Sequence, residues 1–148
     1  AHFDPAATGA ILYPMFALAA WTMIVLLAIP VVRIRAARRR EVRPNDFRFG
    51  ESAAVPGLVS LPNRNYMNLL ELPMLFYVVC LILFVTAGAK PIAVAVAWAY
   101  VGLRIVHSLI HLTYNRVIHR LTVFALSSTV LAVLWVLAGL HLAASPLA

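Results

Sequence analysis

The sequence contains little charge and almost no cysteine. Only 11% of its 148 residues are Asp, Glu, Lys or Arg, and just five residues are acidic. The single cysteine, Cys80, excludes a disulfide framework or a CxxC redox site within one chain, and we interpret it as a small buried hydrophobic residue. So small a charged fraction is incompatible with an ordinary soluble domain.

Apolar residues make up 64% of the chain, and its mean hydropathy is +0.93. Four apolar stretches are each long enough to cross a hydrocarbon core of about 30 Å as a helix, and the alternation typical of strands is absent. The stretches span residues 9–32, 61–87, 91–114 and 121–143. We therefore predict an all-α integral membrane four-helix bundle that forms one domain over residues 1–148. The first stretch lacks a basic leader, so we expect a retained helix rather than a cleaved signal peptide.

The distribution of Lys and Arg predicts the orientation. Nine of these residues lie in the first and third loops, whereas the second loop has only Lys90, so both termini should face away from the cytoplasm. The first loop holds Arg33, Arg35, Arg38, Arg39, Arg40, Arg43 and Arg48. A cluster of this kind beside a membrane helix indicates topology and contact with anionic lipid rather than nucleic acid.

Two proline-containing segments interrupt the regular pattern. Residues 44–63, PNDFRFGESAAVPGLVSLPN, are rich in Pro, Gly, Ser and Asn and are predicted to form a loop on the cytoplasmic face. Pro73 lies within the second span, where it removes a backbone donor and should bend the helix next to Glu71.

Polar side chains within the spans fall on one face of two neighbouring helices. Each charged group near a helix centre costs about 2.5 to 3.5 kcal/mol on insertion scales, so these groups should pair or face water. Spacings of three and four residues place them in stripes. The stripes are Arg64, Asn68 and Glu71 in the second span and Arg104, His107 and His111 in the third. We expect the stripes to face each other, with Glu71 as the counter-charge of Arg104.

Three interpretations of these stripes remain open. Glu71 and Arg104 can neutralise one another and fix helix register without any chemistry. His107 and His111, spaced as i and i+4, can ligate a metal, although the surrounding arginines would repel a cation. Finally, three arginines against one glutamate leave an excess of positive charge that suits an anionic ligand.

These residues carry a resemblance to the MAPEG proteins (membrane-associated proteins in eicosanoid and glutathione metabolism), especially the short bacterial members. The second-helix pattern of that family is an arginine, an asparagine four residues on, a glutamate three further and then a proline. Here the pattern reads Arg64, Asn68, Glu71 and Pro73. The remaining matches are Arg104 and His107 in RIVHSLIH, Arg120 at the start of the fourth helix, and Arg33 after the first helix.

The resemblance implies a homotrimer in a bacterial inner membrane that binds glutathione between protomers near the cytoplasmic face. The arginines would hold the glutathione carboxylates, and Asn68 and Glu71 would take its amide and amine groups. Arg33 would reach the ligand of a neighbouring subunit. Arg120 would be the catalytic residue that stabilises the thiolate, because a nearby guanidinium lowers a thiol pKa. A small hydrophobic electrophile would approach the sulfur from the lipid.

The sequence departs from the family pattern at two positions. His111 stands where glutathione-using members have a tyrosine, and Leu121 follows Arg120 in place of a small hydroxyl residue. Tyr114 lies one turn beyond His111 and would replace the tyrosine only if the helix end shifted. Two hypotheses follow: a membrane-bound glutathione transferase or peroxidase, and a non-catalytic trimer that binds lipid or serves as an accessory subunit.

Overall fold

The computed structural model describes residues 8–144, so the chain termini, which are predicted to lie outside the cytoplasm, fall outside this range. The described chain is helical. Its helices are α1 (Leu12–Arg38), α2 (Gly57–Leu70), α3 (Pro73–Val85), α4 (Pro91–Leu112) and α5 (Val117–Ala144), with a 3₁₀ helix at Pro44–Phe47. Counting α2 and α3 together as Gly57–Val85, four segments of the described chain are long and apolar enough to cross a membrane.

Several helix ends differ from the bounds expected from hydropathy. Helix α1 continues to Arg38 instead of stopping near residue 32, because the RIRAAR segment consists largely of strong helix formers. Helix α2 begins at Gly57, so the expectation of a loop throughout residues 44–63 is wrong. The first turns of α2 are helical because Val59 packs with Ala36 at the end of α1. Helix α5 begins at Val117, four residues before the expected start.

Helix α4 is the central element of the bundle. It packs against α1, α2 and α5, while α3 packs against α1 and α5. The core is formed by apolar side chains from all of these helices, and at its centre the ring of Phe76 stacks on that of Tyr100 with centroids 4.7 Å apart. Cys80 is fully buried in the same core, which confirms its interpretation as a buried hydrophobic residue. Large apolar side chains such as Phe16, 71% exposed, remain on the outer surface, as lipid contact requires.

The turns between helices follow local rules. Pro73 and Pro91 occupy the first positions of α3 and α4, where the missing amide proton costs nothing. The turn after α4 contains Asn115 with φ +46°, and the amide of Asn115 donates to the carbonyl of Ile110 over 2.8 Å. Asparagine tolerates this left-handed conformation at a helix end. Its side chain is therefore fixed at the end of α4, close to the start of α5.

Candidate functional site

A polar groove of about 490 Å³ lies between α2 and α5, with α4 behind it. Both flanking helices pack against α4. The lining residues are Leu61, Asn63, Arg64, Met67, Asn68, His107, His111, Asn115, Val117, Arg120, Leu121 and Phe124. The groove thus brings together five of the predicted site residues from three different helices: Arg64, Asn68, His107, His111 and Arg120.

The α4 side of the groove is formed by two buried histidines. His107 and His111 are each 3% exposed, and their rings meet edge to face with centroids 6.2 Å apart. Within residues 8–144, neither ring nitrogen of His111 has a hydrogen-bond partner. Buried polar groups normally have partners, so His111 presents unused hydrogen-bonding capacity to the groove that it lines.

Arg120 is held on the α5 side by the helix end described above. Its Nη1 donates to Oδ1 of Asn115 over 2.8 Å, so the left-handed cap of α4 also orients a guanidinium at the mouth of the groove. Phe124, one turn further along α5, faces both the His107 ring at 5.9 Å and the guanidinium of Arg104 at 5.6 Å. Asn115 and Phe124 were not among the predicted site residues, because neither belongs to a polar stripe.

Arg104 lies beneath the groove and does not line it. The residue is fully buried, and its Nη2 donates to the backbone carbonyl of Asn68 over 2.7 Å. Among the described residues, the only carboxylate within 4.0 Å of a guanidinium belongs to Glu51, which pairs with Arg33 at 3.2 Å. The predicted ion pair between Glu71 and Arg104 is therefore wrong.

The break between α2 and α3 explains this difference. Glu71 caps α2 with φ −76° and ψ −92°, outside helical geometry, and it is exposed. Pro73 has no amide to offer the carbonyl of Leu69, and the carbonyl of Asn68 accepts from Arg104. A cation is favourable at a helix C-terminus, where carbonyls lack helical donors. Arg104 thus caps the broken helix, while the exposed Glu71 makes no ion-pair contact with it.

Arg33 lies away from the groove, at the end of α1. Besides its contact with Glu51, its guanidinium lies 4.4 Å from the ring centroid of Phe47. Tyr114 also lies elsewhere, because it is 56% exposed and its hydroxyl is 3.1 Å from Nδ1 of His119. Tyr114 therefore does not line the groove.

A buried polar contact next to the groove was missed by the sequence analysis. The amide nitrogen of Asn65 donates to the hydroxyl of Ser108, joining α2 to α4. Both residues are fully buried. Asn65 directly follows Arg64, and Ser108 directly follows His107, so neither residue belongs to a predicted stripe. Their contact becomes visible only when the relative rotation of the two helices is known. Within residues 8–144, no three His, Cys, Asp or Glu side chains cluster so that they could hold a metal ion.

The electrostatic character of the groove is positive. Arg64 and Arg120 line it together with neutral amide and imidazole groups, and no lining residue is acidic. An apolar rim completes it, with Met67 from α2 and Leu121 from α5. The arrangement suits a ligand that carries acidic groups and has an apolar portion.

Residues 11–140 of the 148-residue chain match the model of the MAPEG family. The chain is a member of the MAPEG family. This result confirms the resemblance drawn from the second-helix, third-helix and fourth-helix motifs, and it identifies the four apolar segments as the spans of an integral membrane protein. No curated protein and no solved structure matches the chain.

Proposed function

We propose that this MAPEG protein binds glutathione, or a closely similar anionic thiol, in the groove between α2 and α5. The observation that carries the proposal is the composition of the groove: Arg64 and Arg120 line it from opposite helices, and no carboxylate lies among its lining residues. Two guanidinium groups with neutral polar groups between them complement a ligand with two carboxylates.

The proposed roles follow from position. Arg64 binds a ligand carboxylate and Asn68 bonds to a peptide group of the ligand. Arg120, fixed by Asn115, lies over the sulfur and lowers the pKa of the thiol, so that a nucleophilic thiolate is present. In glutathione-using family members a tyrosine stands at this position of the third helix. Here His111 supplies the hydrogen-bonding group in its place. The thiolate sulfur then bonds to the carbon of a hydrophobic electrophile and displaces its leaving group, or bonds to an oxygen of a peroxide while the O–O bond breaks and the other oxygen leaves as an alcohol after protonation. Either substrate enters past the apolar rim.

The proposal includes a homotrimer in a bacterial inner membrane, with both termini outside the cytoplasm. The exposure of Glu71 supports a shared site, because a lone carboxylate facing lipid is costly and a neighbouring protomer offers it a polar environment. At this boundary between protomers, the carboxylate of Glu71 binds the amino group of the ligand. Arg33 reaches the same ligand from the neighbouring protomer after exchanging its contact with Glu51 for one with the ligand.

Binding is tested by calorimetry with glutathione on purified protein in mild detergent. We expect Arg64→Gln and Arg120→Gln each to weaken binding by about tenfold or more, since a charge-assisted hydrogen bond contributes roughly 1.5 to 3 kcal/mol. Arg116→Gln is the matched control, because Arg116 is an exposed arginine at the same end of α5 that does not line the groove. Equal loss in all three variants, or no heat with the wild type, refutes the proposal.

The second candidate is a non-catalytic trimer that binds lipid or acts as an accessory subunit. His111 and Leu121 support it, because the groove lacks the tyrosine and the small hydroxyl residue of glutathione-using members. It predicts that glutathione binds without a thiolate absorbance band in the ultraviolet, or does not bind. A thiolate band that appears with glutathione and disappears in Arg120→Gln favours the enzyme.

A further inference from the structure

A second groove lies outside the candidate glutathione site, between the end of α1 and the start of α2. It has a volume of about 450 Å³. Its lining residues are Val32, Arg35, Ala36, Arg39, Glu41, Pro56, Leu58 and Val59. The groove is built on a packed base, because Ala36 and Val59 are buried in a small apolar cluster with Val42 and Val55. Its shape is therefore set by the fold and not by a loose loop.

Two guanidinium groups line this groove without an acidic partner. Arg35 and Arg39 are four residues apart at the end of α1 and both are exposed, so they project from the same side of the helix. Within residues 8–144 the only ion pair is Arg33 with Glu51, and neither Arg35 nor Arg39 contributes to it. A pair of neighbouring guanidinium groups with no protein carboxylate in contact attracts an anion, and phosphate matches their geometry.

The remainder of the lining is apolar and faces outward. Leu58 is 77% exposed at the first turn of α2, and Val32 lies one turn before Arg35 in the direction of the membrane span. An apolar wall that leads from a pair of arginines toward the hydrocarbon matches a phospholipid, which carries a phosphate at the interface and an acyl chain below it.

The carboxylate of Glu41 adds a requirement on the headgroup. With Arg35, Arg39 and Glu41 the lining carries a net charge of +1, which a single phosphodiester neutralises. Glu41 accepts hydrogen bonds when ionised, so a headgroup with hydroxyl donors satisfies it. Phosphatidylglycerol has both properties, whereas phosphatidylcholine has no donor and carries no net charge.

We infer that this groove is a binding site for one phosphatidylglycerol molecule per chain. Its phosphate lies between Arg35 and Arg39, its glycerol hydroxyl bonds to Glu41, and an acyl chain runs along Val32 and Leu58. The inference does not depend on glutathione binding, since the two grooves have no lining residue in common.

The test is native mass spectrometry of the full chain after exchange into detergent that contains either phosphatidylglycerol or phosphatidylcholine. We expect the wild type to retain one phosphatidylglycerol per chain and to lose phosphatidylcholine. The double variant R35Q/R39Q should lose the retained lipid. The matched control R38Q/R40Q removes the same charge from neighbouring exposed arginines that do not line the groove, and it should keep the lipid.

The outcomes separate a built site from diffuse attraction. Three results would overturn the inference. The first is equal loss of the lipid from R35Q/R39Q and R38Q/R40Q, and the second is equal retention of phosphatidylglycerol and phosphatidylcholine by the wild type. The third is retention of phosphatidylglycerol by R35Q/R39Q. Glycerol phosphate, a soluble competitor without an acyl chain, should not displace the lipid, and displacement by it identifies a simple anion site instead. If R35Q/R39Q does not fold, Leu58→Asp provides the second variant, since it places a charge against the acyl chain and should abolish retention while both arginines remain.

Discussion

Glu71 and Arg104 should be only weakly coupled in stability, because they make no contact within 4.0 Å and Arg104 bonds instead to the carbonyl of Asn68. Arg104→Gln removes a charge-assisted hydrogen bond worth roughly 1.5 to 3 kcal/mol. Removal of Nε and Nη1, which are buried without partners in the described chain, offsets part of that cost. Glu71→Gln changes a side chain that lies beyond 4.0 Å from any guanidinium of the described chain, so its effect on stability should reflect its surroundings in the bilayer or trimer and not Arg104.

The coupling free energy from a double-mutant cycle is the decisive quantity. Even exposed ion pairs in direct contact give only about 0.2 to 1 kcal/mol, so the coupling between Glu71 and Arg104 should lie below about 1 kcal/mol. Breaking one member of a buried, contacting pair costs about 3 to 5 kcal/mol instead. The two values are far enough apart to be distinguished by experiment.

The cycle requires unfolding free energies for the wild type, Glu71→Gln, Arg104→Gln and the double variant in one detergent. Oligomeric state is recorded for each variant, so that subunit dissociation is not mistaken for unfolding. Reversal of the Arg104→Gln loss by the second substitution, with a coupling of 3 kcal/mol or more, would contradict the capping role of Arg104 and restore the ion pair expected from the sequence.

Two further predictions concern packing and topology. In a thermal unfolding assay, Gly88→Ala should destabilise the protein by roughly 1 to 3 kcal/mol, because a Cβ at Gly88 would lie 2.9 Å from Cγ of His141. The control Gly139→Ala should be neutral or stabilising, because a Cβ at Gly139 would have nothing within 4 Å. Equal effects of the two substitutions would refute the close packing of Gly88 on His141. Cysteines at exposed Ser52 and exposed Lys90 should react with an impermeant thiol reagent from opposite sides of the membrane, with Ser52 reached only from the cytoplasm. Labelling of Lys90 from the cytoplasm and of Ser52 from the other side would reverse the orientation, and labelling of both from one side would refute the span between them.

The sequence alone predicts the spans and the polar face of α4. Hydrophobic runs long enough to cross a bilayer have few alternative structures, since lipid leaves backbone groups no partner outside a helix. Helical spacing likewise places Arg104, His107 and His111 on one side of α4, and all three are buried there. These features follow from local periodicity, so no knowledge of neighbouring helices is needed.

Partners across helices could not be predicted in the same way. The pairing of Arg104 with Glu71 was expected because two polar stripes of opposite charge on neighbouring helices should face each other. Pro73 was recognised as a source of bending, yet a proline alone does not specify which residue leaves the helix or which carbonyl becomes free. The contact between Asn65 and Ser108 depends on the relative rotation of two helices, which neither segment encodes alone.

The break at Glu71 and Leu72 divides the second span into two separate helices, so the two halves have different neighbours. Helix α3 is anchored by the stacking of Phe76 on Tyr100, whereas helix α2 carries Arg64 and one wall of the groove. The hydrogen bond from Arg104 to the carbonyl of Asn68 joins the end of α2 to α4 at this break. Because no continuous helix joins the two segments, the position of Arg64 in the groove is set mainly by the contacts of α2 with α1 and α4, among them the buried contact of Asn65 with Ser108.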